Sequence, residues 1–182
     1  QLNRNKIKNI NAVFYTHWHP DHTEGMRVLE KVAWDWNAYK AEKSVAVFLS
    51  EYTSRMHDFY LSYYERHGMI KRHIIGDGQS VRIDSTIVTG FIVKNESSAF
   101  VFLIERDGKR VVYAPCDNYP FPESKRLKNA DVLIMHTDWF KDNRLYAERM
   151  EELRGKEGYE YSFEEDLELI KGSNQRGQYL HI

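Results

Sequence analysis

The stretch THWHPDH, residues 16–22, places three histidines and one aspartate within six positions. It ends an apolar run and precedes an amphipathic segment, which predicts a turn between a strand and a helix. Side chains alternate along a strand, so His17 and His19 should point the same way. Asp21 and His22 follow in the turn itself. We expect all four side chains at the carboxyl end of a strand, where α/β proteins commonly hold their sites.

The chemistry of these side chains favours a metal site. Neutral imidazole and carboxylate are ligands of zinc, iron and manganese in proteins. A polar turn whose aspartate caps the next helix would have the same composition, but the spacing H-x-H-x-D-H is far more restrictive than a lone histidine pair. One ion rarely takes four ligands from adjacent residues, which suggests two cations a few ångströms apart.

The composition is typical of a soluble globular protein. The chain has 182 residues, with 26 basic and 27 acidic side chains and a net charge of −1, so no global field favours nucleic acid or an anionic membrane. No apolar run has the length of a membrane span. The single Cys116 excludes an internal disulfide and fits a reducing compartment. These features predict one cytoplasmic domain over residues 1–182, without membrane association.

Hydrophobic periodicity predicts strands and helices in alternation along the first part of the chain. Apolar and β-branched residues predict strands over 12–17 and 45–50, and residues 24–43 between them have helical spacing. A second helix should end at Gly68. Its aromatic cluster contains Tyr52, Phe59, Tyr60, Tyr63 and Tyr64. Helical spacing favours burial of these rings in the core, with stacking on a base or another aromatic ligand as the alternative.

The middle of the chain contains five short β-rich runs: 69–75, 79–84, 86–94, 99–105 and 109–115. Gly76-Asp77-Gly78 and Asp107-Gly108 separate two pairs of these runs, as hairpin turns do. A strand over 130–137 and a helix over 145–154 should follow. A helix with a capping box over 162–172 then precedes a final strand. This order predicts an α/β domain with a substantial antiparallel component.

The opening motif resembles that of the metallo-β-lactamase superfamily, whose αββα fold carries a dinuclear site at one edge of a β-sandwich. The phrase VVYAPCDN resembles the family's strand that ends in a metal-bridging aspartate, which would be Asp117. The phrase SFEEDLELIKGSNQRGQYLHI resembles the closing helix–strand unit, whose ligand histidine would be His181. Its ending, YLHI, is similar to the branch that contains ribonuclease Z and the cyclic phosphodiesterase of phosphonate metabolism.

The resemblance covers nearly the whole chain but omits the family's opening strands and first glycine-rich turn. It therefore implies an α/β, metallo-β-lactamase-like αββα sandwich that is incomplete at its N-terminus. The chain stops one residue after His181, so the C-terminus could be incomplete as well.

The resemblance also implies a set of metal ligands, which are His17, His19, Asp21, His22, Asp117 and His181. They would hold one or two divalent ions per chain, zinc first and manganese or iron as alternatives. Two positions depart from the family. Asn95, in FIVKN, stands where members place a third histidine, and Glu160 stands near a catalytic histidine of the phosphodiesterase branch.

The implied function is a metal-dependent hydrolase, most closely a phosphodiesterase that acts on a cyclic phosphodiester or RNA-type ester through a metal-bound hydroxide. Asp21, Glu160 and His136 are the catalytic candidates, although His136 could be an ordinary strand-end histidine. Lactam or thioester hydrolysis is an alternative within the class. A different alternative is a metal-binding accessory protein of cofactor biosynthesis with little or no catalysis, because Asn95 and Glu160 replace groups that carry the chemistry.

We expect a small anionic phosphodiester as the partner of this chain, and the sequence leaves RNA and a homodimer open. No residues are assigned to an organic cofactor.

Overall fold

The computed structural model describes residues 7, 9–136, 139–156, 158–172 and 178–181. The chain divides into two compact units, residues 1–75 and residues 76–182. Within the described ranges, no helix has the length and apolar character that crossing a bilayer requires.

The strands of the first unit are β1 (Ala12–Phe14), β2 (Trp34–Asp35), β3 (Lys40–Ala41), β4 (Val45–Leu49) and β5 (Ile70–Ile74). Strands β1, β4 and β5 form a parallel sheet with β4 in the centre, and β2 pairs with β3 in a small antiparallel hairpin. Val45, Val47 and Leu49 of β4 are fully buried, as expected for a central parallel strand. The predicted strands near residues 12 and 45 are therefore confirmed.

The helices of the first unit are α1 (Pro20–Thr23), α2 (Arg27–Ala33), α3 (Glu51–Met56) and α4 (Asp58–Arg66). A 3-10 turn over Glu24–Met26 joins α1 to α2. Leu29 of α2 and Leu61 of α4 are buried with the strand side chains in one hydrophobic core. After α4 the chain takes a positive φ of 71° at Gly68, whose N–H donates to the carbonyl of Glu65, so the predicted helix end is confirmed.

The helix predicted over residues 24–43 is wrong in its second half. The helix ends at Ala33, and Trp34 takes extended backbone angles at the start of the β2–β3 hairpin. The Asn37 N–H donates to Asp35 Oδ1 at 2.8 Å, and Tyr39 has a positive φ of 54°. Aspartate and asparagine form such local turns, which here end the helical periodicity.

The predicted burial of the aromatic cluster is also wrong for three of its rings. Phe59, Tyr60 and Tyr63 are 80%, 58% and 44% exposed, whereas Tyr64 is 5% exposed. Helix α4 contacts the core through Leu61 and Tyr64, and the other three rings lie on its remaining surface.

The strands of the second unit are β6 (Ser80–Ile83), β7 (Thr86–Ile92), β8 (Phe100–Arg106), β9 (Lys109–Ala114), β10 (Val132–Met135) and β11 (Gln178–His181). They form one sheet in the order β11-β10-β9-β8-β7-β6. Neighbouring strands are antiparallel from β6 to β9 and parallel from β9 to β11. Val101, Leu103, Val112 and Leu133 belong to the core of this unit.

One of the two predicted hairpin turns is confirmed. Asp107 and Gly108 both have positive φ angles, 50° and 73°, and connect β8 to β9, as a type I′ turn requires. The segment Gly76-Asp77-Gly78 does not form a hairpin, because β5 pairs with β4 in the first sheet and β6 pairs with β7 in the second. Glycine-rich turns also connect strands of different sheets, and the local sequence does not distinguish the two cases.

The second unit also contains a 3-10 turn over Lys125–Leu127 and the helices α5 (Arg144–Leu153) and α6 (Phe163–Gly172). The predicted capping box begins α6. The Glu165 N–H donates to Ser162 Oγ at 3.2 Å, and the Ser162 N–H donates to Glu165 Oε2 at 3.0 Å.

Candidate metal centre

The four polar side chains of the opening motif come together in the first unit. His17 is fully buried, and its Nε2 lies 3.1 Å from Nδ1 of His19. The ring centroids of His17 and His22 are 4.2 Å apart. Asp21 Oδ2 lies 3.2 Å from His22 Nε2, and its carboxylate is 76% exposed. We refer to residues 16–23 as the ligand turn.

Hydrogen bonds of the Thr23 and His57 side chains fix the path of the ligand turn. Thr23 Oγ1 donates to the His19 carbonyl at 3.0 Å. His57 Nε2 lies 2.7 Å from the Trp18 carbonyl oxygen, which can only accept, so this nitrogen carries the proton. Trp18 stands in the sequence between His17 and His19, whose ring nitrogens approach each other. The bond from His57 therefore holds the backbone that joins these two residues. Sequence reasoning missed this role of His57, because His57 and Trp18 are 39 positions apart and no local pattern relates them.

The electrostatic environment keeps His17 neutral. Burial lowers the pKa of His17 to about 3, and positive charge on His22 or His19 would lower it further, against a smaller opposite effect of Asp21. Thr16 Oγ1 lies 3.1 Å from His17 Nδ1 and orients the ring through that nitrogen. A neutral imidazole oriented through one nitrogen is the form that binds a metal through the other.

The distance between the two histidine nitrogens fits a divalent cation. Ligand nitrogens at about 2.0–2.1 Å from a tetrahedral zinc ion are about 3.3 Å apart. His17 Nε2 and His19 Nδ1 are 3.1 Å apart, which is a hydrogen-bond distance and is also close to this ligand spacing. The donor set of the turn, imidazoles and a carboxylate, is also the set that zinc, manganese and iron take.

Three predicted residues of the second unit lie at one edge of its sheet. Ala114 of β9 is in register with Met135 of β10, and Met135 is in register with His181 of β11. His136 follows β10 directly, and its N–H donates to the Ala114 carbonyl at 3.0 Å. Asp117 is three residues beyond the end of β9. Because these strands are parallel, their carboxyl ends present Asp117, His136 and the backbone of His181 at the same edge.

The loop that carries Asp117 depends on Asn95. Asp117 has a positive φ of 48°. Asn95 Nδ2 donates to the carbonyl oxygens of Asp117 and Tyr119, both at 3.0 Å. Asn95 Oδ1 accepts from Ser97 Oγ at 2.8 Å and from the Ser98 N–H at 3.2 Å. Both the nitrogen and the oxygen of the Asn95 amide are thus hydrogen-bonded, and these bonds position the loop. The sequence did not predict this role for Asn95, which stands where family members have a metal-binding histidine.

Asn118 adds an unusual feature to the same loop. It is 2% exposed, and within the described residues neither its Oδ1 nor its Nδ2 has a hydrogen-bond partner. Buried polar groups are nearly always hydrogen-bonded, so this side chain lowers the stability of the loop that carries Asp117.

Glu160 lies between α5 and α6. Its Oε2 accepts a hydrogen bond from the Tyr146 hydroxyl at 2.7 Å, and its carbonyl accepts from Trp139 Nε1 at 2.9 Å. The predicted residues therefore form two groups, the ligand turn in one unit and the sheet edge in the other. Their convergence on one centre stays a prediction, as does the catalytic role of Glu160.

Parallel strands whose carboxyl ends carry histidine and aspartate side chains are typical of an α/β protein with a metal site at the sheet edge. The chain belongs to the beta-lactamase superfamily, since the family model described as "Beta-lactamase superfamily domain" matches residues 1–175. A search of curated proteins gives no significant match.

Solved structures with the same fold include three informative ones. A diphosphatase of the PhnP family has a TM-score of 0.69 and 14% identity, over 99% of this chain and 62% of that one. Human tRNase Z, short form, has a TM-score of 0.63 and 14% identity, over 94% and 72%. Zinc-bound PqqB from Methylobacterium extorquens has a TM-score of 0.57 and 20% identity, over 76% and 46%. At such identities the likeness shows the fold alone.

These findings confirm the predicted α/β, metallo-β-lactamase-like fold class and the predicted superfamily, and a PhnP-family diphosphatase and a tRNase Z are among the structures that share the fold. The chain spans 62% of the length of the PhnP-family diphosphatase and 46% of that of PqqB.

Proposed function

We propose that this chain is a metal-dependent hydrolase of phosphodiesters. The observation that carries the proposal is the 3.1 Å approach of His17 Nε2, on a fully buried ring, to His19 Nδ1, in a turn that hydrogen bonds of Thr23 and His57 hold in place. Two of the structures that share the fold are, by name, a diphosphatase and a tRNase Z, which supports a phosphate ester as the substrate class.

In this proposal the metal ligands come from both groups of residues. They are His17, His19, Asp21, His22, Asp117 and His181, and they hold one or two divalent ions, zinc first. Bound divalent ions supply the positive charge that acidifies water and offsets the charge developing on the phosphoryl oxygens.

The chain's own residues contribute orientation and proton transfer. Thr16 Oγ1 lies 3.1 Å from Nδ1 of His17 and orients the ring, so that Nε2 faces His19 Nδ1 at the proposed ligand position. Glu160 already accepts a hydrogen bond from Tyr146, so its carboxylate acts as an acceptor. His136 is therefore the better candidate to donate a proton to the leaving oxygen, for which it must come within about 3.2 Å of that atom.

Metal analysis combined with a hydrolysis assay tests the proposal. We expect the purified, dialysed protein to retain one or two zinc ions per chain and to hydrolyse bis(p-nitrophenyl) phosphate. His19→Ala should lose both properties, whereas His67→Ala, an exposed histidine outside the ligand turn, should keep both. Hydrolysis that survives complete removal of metal would contradict the proposal.

A second candidate function is a metal-binding accessory protein with little catalysis. The observation in its favour is the complete engagement of the Asn95 amide, which leaves no ligand at the position of the family's third histidine. Zinc bound at full stoichiometry, with no hydrolysis across a panel of phosphodiesters, thioesters and lactams, would establish this function instead.

A further inference from the structure

Five aromatic side chains of the first unit are exposed to water. Phe59, Tyr60 and Tyr63 of α4 are 80%, 58% and 44% exposed, and Trp36 and Tyr39 in the turn of the β2–β3 hairpin are 62% and 77% exposed. We refer to these five residues as the aromatic face. Tryptophan, tyrosine and phenylalanine are enriched in the cores of protein interfaces, so this composition indicates an interaction surface.

Ring contacts join the two parts of the aromatic face. The Trp34 ring meets the rings of Trp36 and Tyr39 edge to face, with centroids 6.5 Å and 5.7 Å apart. The same ring lies 6.0 Å from His67, and His67 lies 4.6 Å from Tyr63 of α4. The hairpin and the helix therefore present one continuous surface.

Helix α4 has three sides, and only two of them are used within the chain. Its core side consists of Leu61 and Tyr64, which are buried. Its charged side consists of Asp58 and Glu65, each of which pairs with Arg72 of β5 at 2.7 Å. Helical spacing places the three rings of the aromatic face away from both of these sides. Folding of the single chain therefore leaves an apolar side of this helix in water.

The aromatic face has the size of a protein–protein interface. An aromatic side chain buries about 150–250 Å², so the exposed parts of the five rings amount to about 500–800 Å². The largest apolar patch on an ordinary monomer is about 300–600 Å², and a stable complex buries about 800 Å² on each partner. A partner surface of similar extent is needed to remove these rings from water.

The charges that border the aromatic face indicate which partner it fits. Glu24, Arg27 and Glu30 line a cleft of about 1030 Å³ together with the rings of α4. Among the described residues, none of these three side chains forms a salt bridge. A nucleic acid would bring its phosphates towards two carboxylates, which is unfavourable. A second copy of the chain brings both signs of charge, so each arginine can meet glutamates of the other copy.

We therefore propose that two copies of this chain associate through the aromatic face as a two-fold symmetric dimer. A two-fold interface uses the same patch on both subunits, so the patch must complement itself. Aromatic rings pair with aromatic rings, and the bordering charges are of both signs, so this patch meets that condition. None of the proposed metal ligands belongs to the aromatic face, so the dimer does not depend on the proposed hydrolase activity.

Sedimentation velocity of the 182-residue chain, from nanomolar to high micromolar concentration, tests the proposal. We expect one reversible step to a species of two chains and no larger assembly. Tyr60→Ser should weaken the association at least about 30-fold, as loss of a central ring at an interface does. Phe59→Ser should act in the same way, whereas Tyr60→Phe, which keeps the ring, should associate like the wild type. Both rings are exposed, so the serine variants should keep the far-UV circular dichroism of the wild type.

Two further variants show which surface is covered. Phe140→Ser is the matched control, because this ring is 52% exposed and lies in the second unit, and it should leave the association unchanged. Trp36 should emit at longer wavelength once dilution dissociates the dimer, because its ring then returns to water. Trp36→Phe, which keeps a ring, should dimerise without that shift.

Several outcomes would overturn the proposal. One is a chain that stays monomeric at every concentration. Another is a dimer that Tyr60→Ser and Phe59→Ser leave intact, or whose emission shift persists in Trp36→Phe, because the interface would then lie elsewhere. A monomer that binds phosphatidylcholine vesicles through Tyr60 would assign the aromatic face to a lipid surface instead.

Discussion

Asn95 Nδ2 lies 3.0 Å from the carbonyl oxygen of Asp117, a residue 22 positions later in the chain. The same amide nitrogen reaches the Tyr119 carbonyl, so one side chain fixes both ends of a three-residue segment that includes Asn118. This segment carries the proposed bridging ligand, and its geometry depends on Asn95, whose amide is hydrogen-bonded through both its nitrogen and its oxygen. An asparagine at the position of a metal-binding histidine can therefore contribute to the proposed metal centre by holding the loop of another ligand, Asp117, rather than by binding the metal itself.

We expect Asn95→Ala to lower the free energy of unfolding by about 1–3 kcal/mol, because it leaves two partly buried carbonyl groups without their donor. Asn95→His should be destabilised as well, since an imidazole cannot both donate to two carbonyls and accept from Ser97 and Ser98. Urea denaturation measures both effects. A stabilised Asn95→His protein that binds zinc more tightly than the wild type would instead identify residue 95 as a ligand position.

His57 should influence metal binding without touching the metal. His57→Ala removes the donor to the Trp18 carbonyl and loosens the segment between His17 and His19. Changes in groups that orient ligands typically weaken metal binding about 10- to 100-fold, which competition with a chromogenic chelator can measure. His57→Gln, which keeps an N–H donor, should recover part of the affinity, and His67→Ala should match the wild type. Equal zinc affinity in all four proteins would show that the hydrogen bond is irrelevant to the centre.

The effect of Asp21 on metal binding can be tested separately from its effect on folding, because its carboxylate is 76% exposed. With metal removed from both proteins, Asp21→Ala should change the free energy of unfolding by no more than about 0.5 kcal/mol, as exposed substitutions do. The same variant should bind fewer zinc ions per chain and lose phosphodiester hydrolysis. Asp142→Ala, at another exposed aspartate, provides the control. Retained hydrolysis in Asp21→Ala, with no metal bound, would rule out a metal-dependent reaction.

Asn118 should lower the stability of the folded chain. Its two amide atoms are buried without hydrogen-bond partners among the described residues, an arrangement that costs about 1–3 kcal/mol for each unsatisfied group. Asn118→Leu keeps the branched shape of the side chain and removes its polar atoms, so we expect a higher free energy of unfolding. Calorimetric unfolding measures this effect. Lower stability in Asn118→Leu would indicate that the amide is satisfied.

Glu165 should make stability depend on pH in the acid range. Burial alone would raise the pKa of Glu165, but hydrogen bonds from the Ser162 N–H, Tyr159 and Arg154 outweigh burial and lower it from 4.5 to about 2. The unfolded chain therefore takes up a proton near pH 4.5 and the folded chain only near pH 2. The stabilisation by Glu165 is complete above pH 4.5 and is lost as the pH falls through 2.

Within that interval, wild-type stability should fall by up to about 1.4 kcal/mol per pH unit relative to Glu165→Gln. Denaturation in urea at several pH values measures this difference. Glu148→Gln, on the exposed surface of α5, should follow the wild-type curve. Parallel curves for wild type and Glu165→Gln would contradict the role of this carboxylate.

The parts of the structure that depend on local sequence were predictable. The capping box of Ser162 and Glu165, the Asp107-Gly108 turn and the helix end at Gly68 each follow from interactions within a few residues. The ligand turn was predictable for the same reason, since its spacing H-x-H-x-D-H is a local pattern.

The parts that depend on distant contacts were not predictable. The periodicity of residues 24–43 suits a helix, but the β2–β3 hairpin ends it at Ala33. The aromatic spacing on α4 suits a core, but Leu61 and Tyr64 already supply its buried face. The bonds of His57 to Trp18 and of Asn95 to Asp117 join residues 39 and 22 positions apart, which no window along the sequence relates.

The edge formed by β9, β10 and β11 bears on how this protein could evolve. The core side chains Val112 and Leu133 lie within the strands, whereas Asp117 and His136 lie just beyond the strand ends. Each position beyond an end belongs to a separate connection, so a mutation there can alter metal preference or substrate without disturbing the packing of the sheet. New chemistry can therefore arise one residue at a time on a scaffold that keeps its stability throughout.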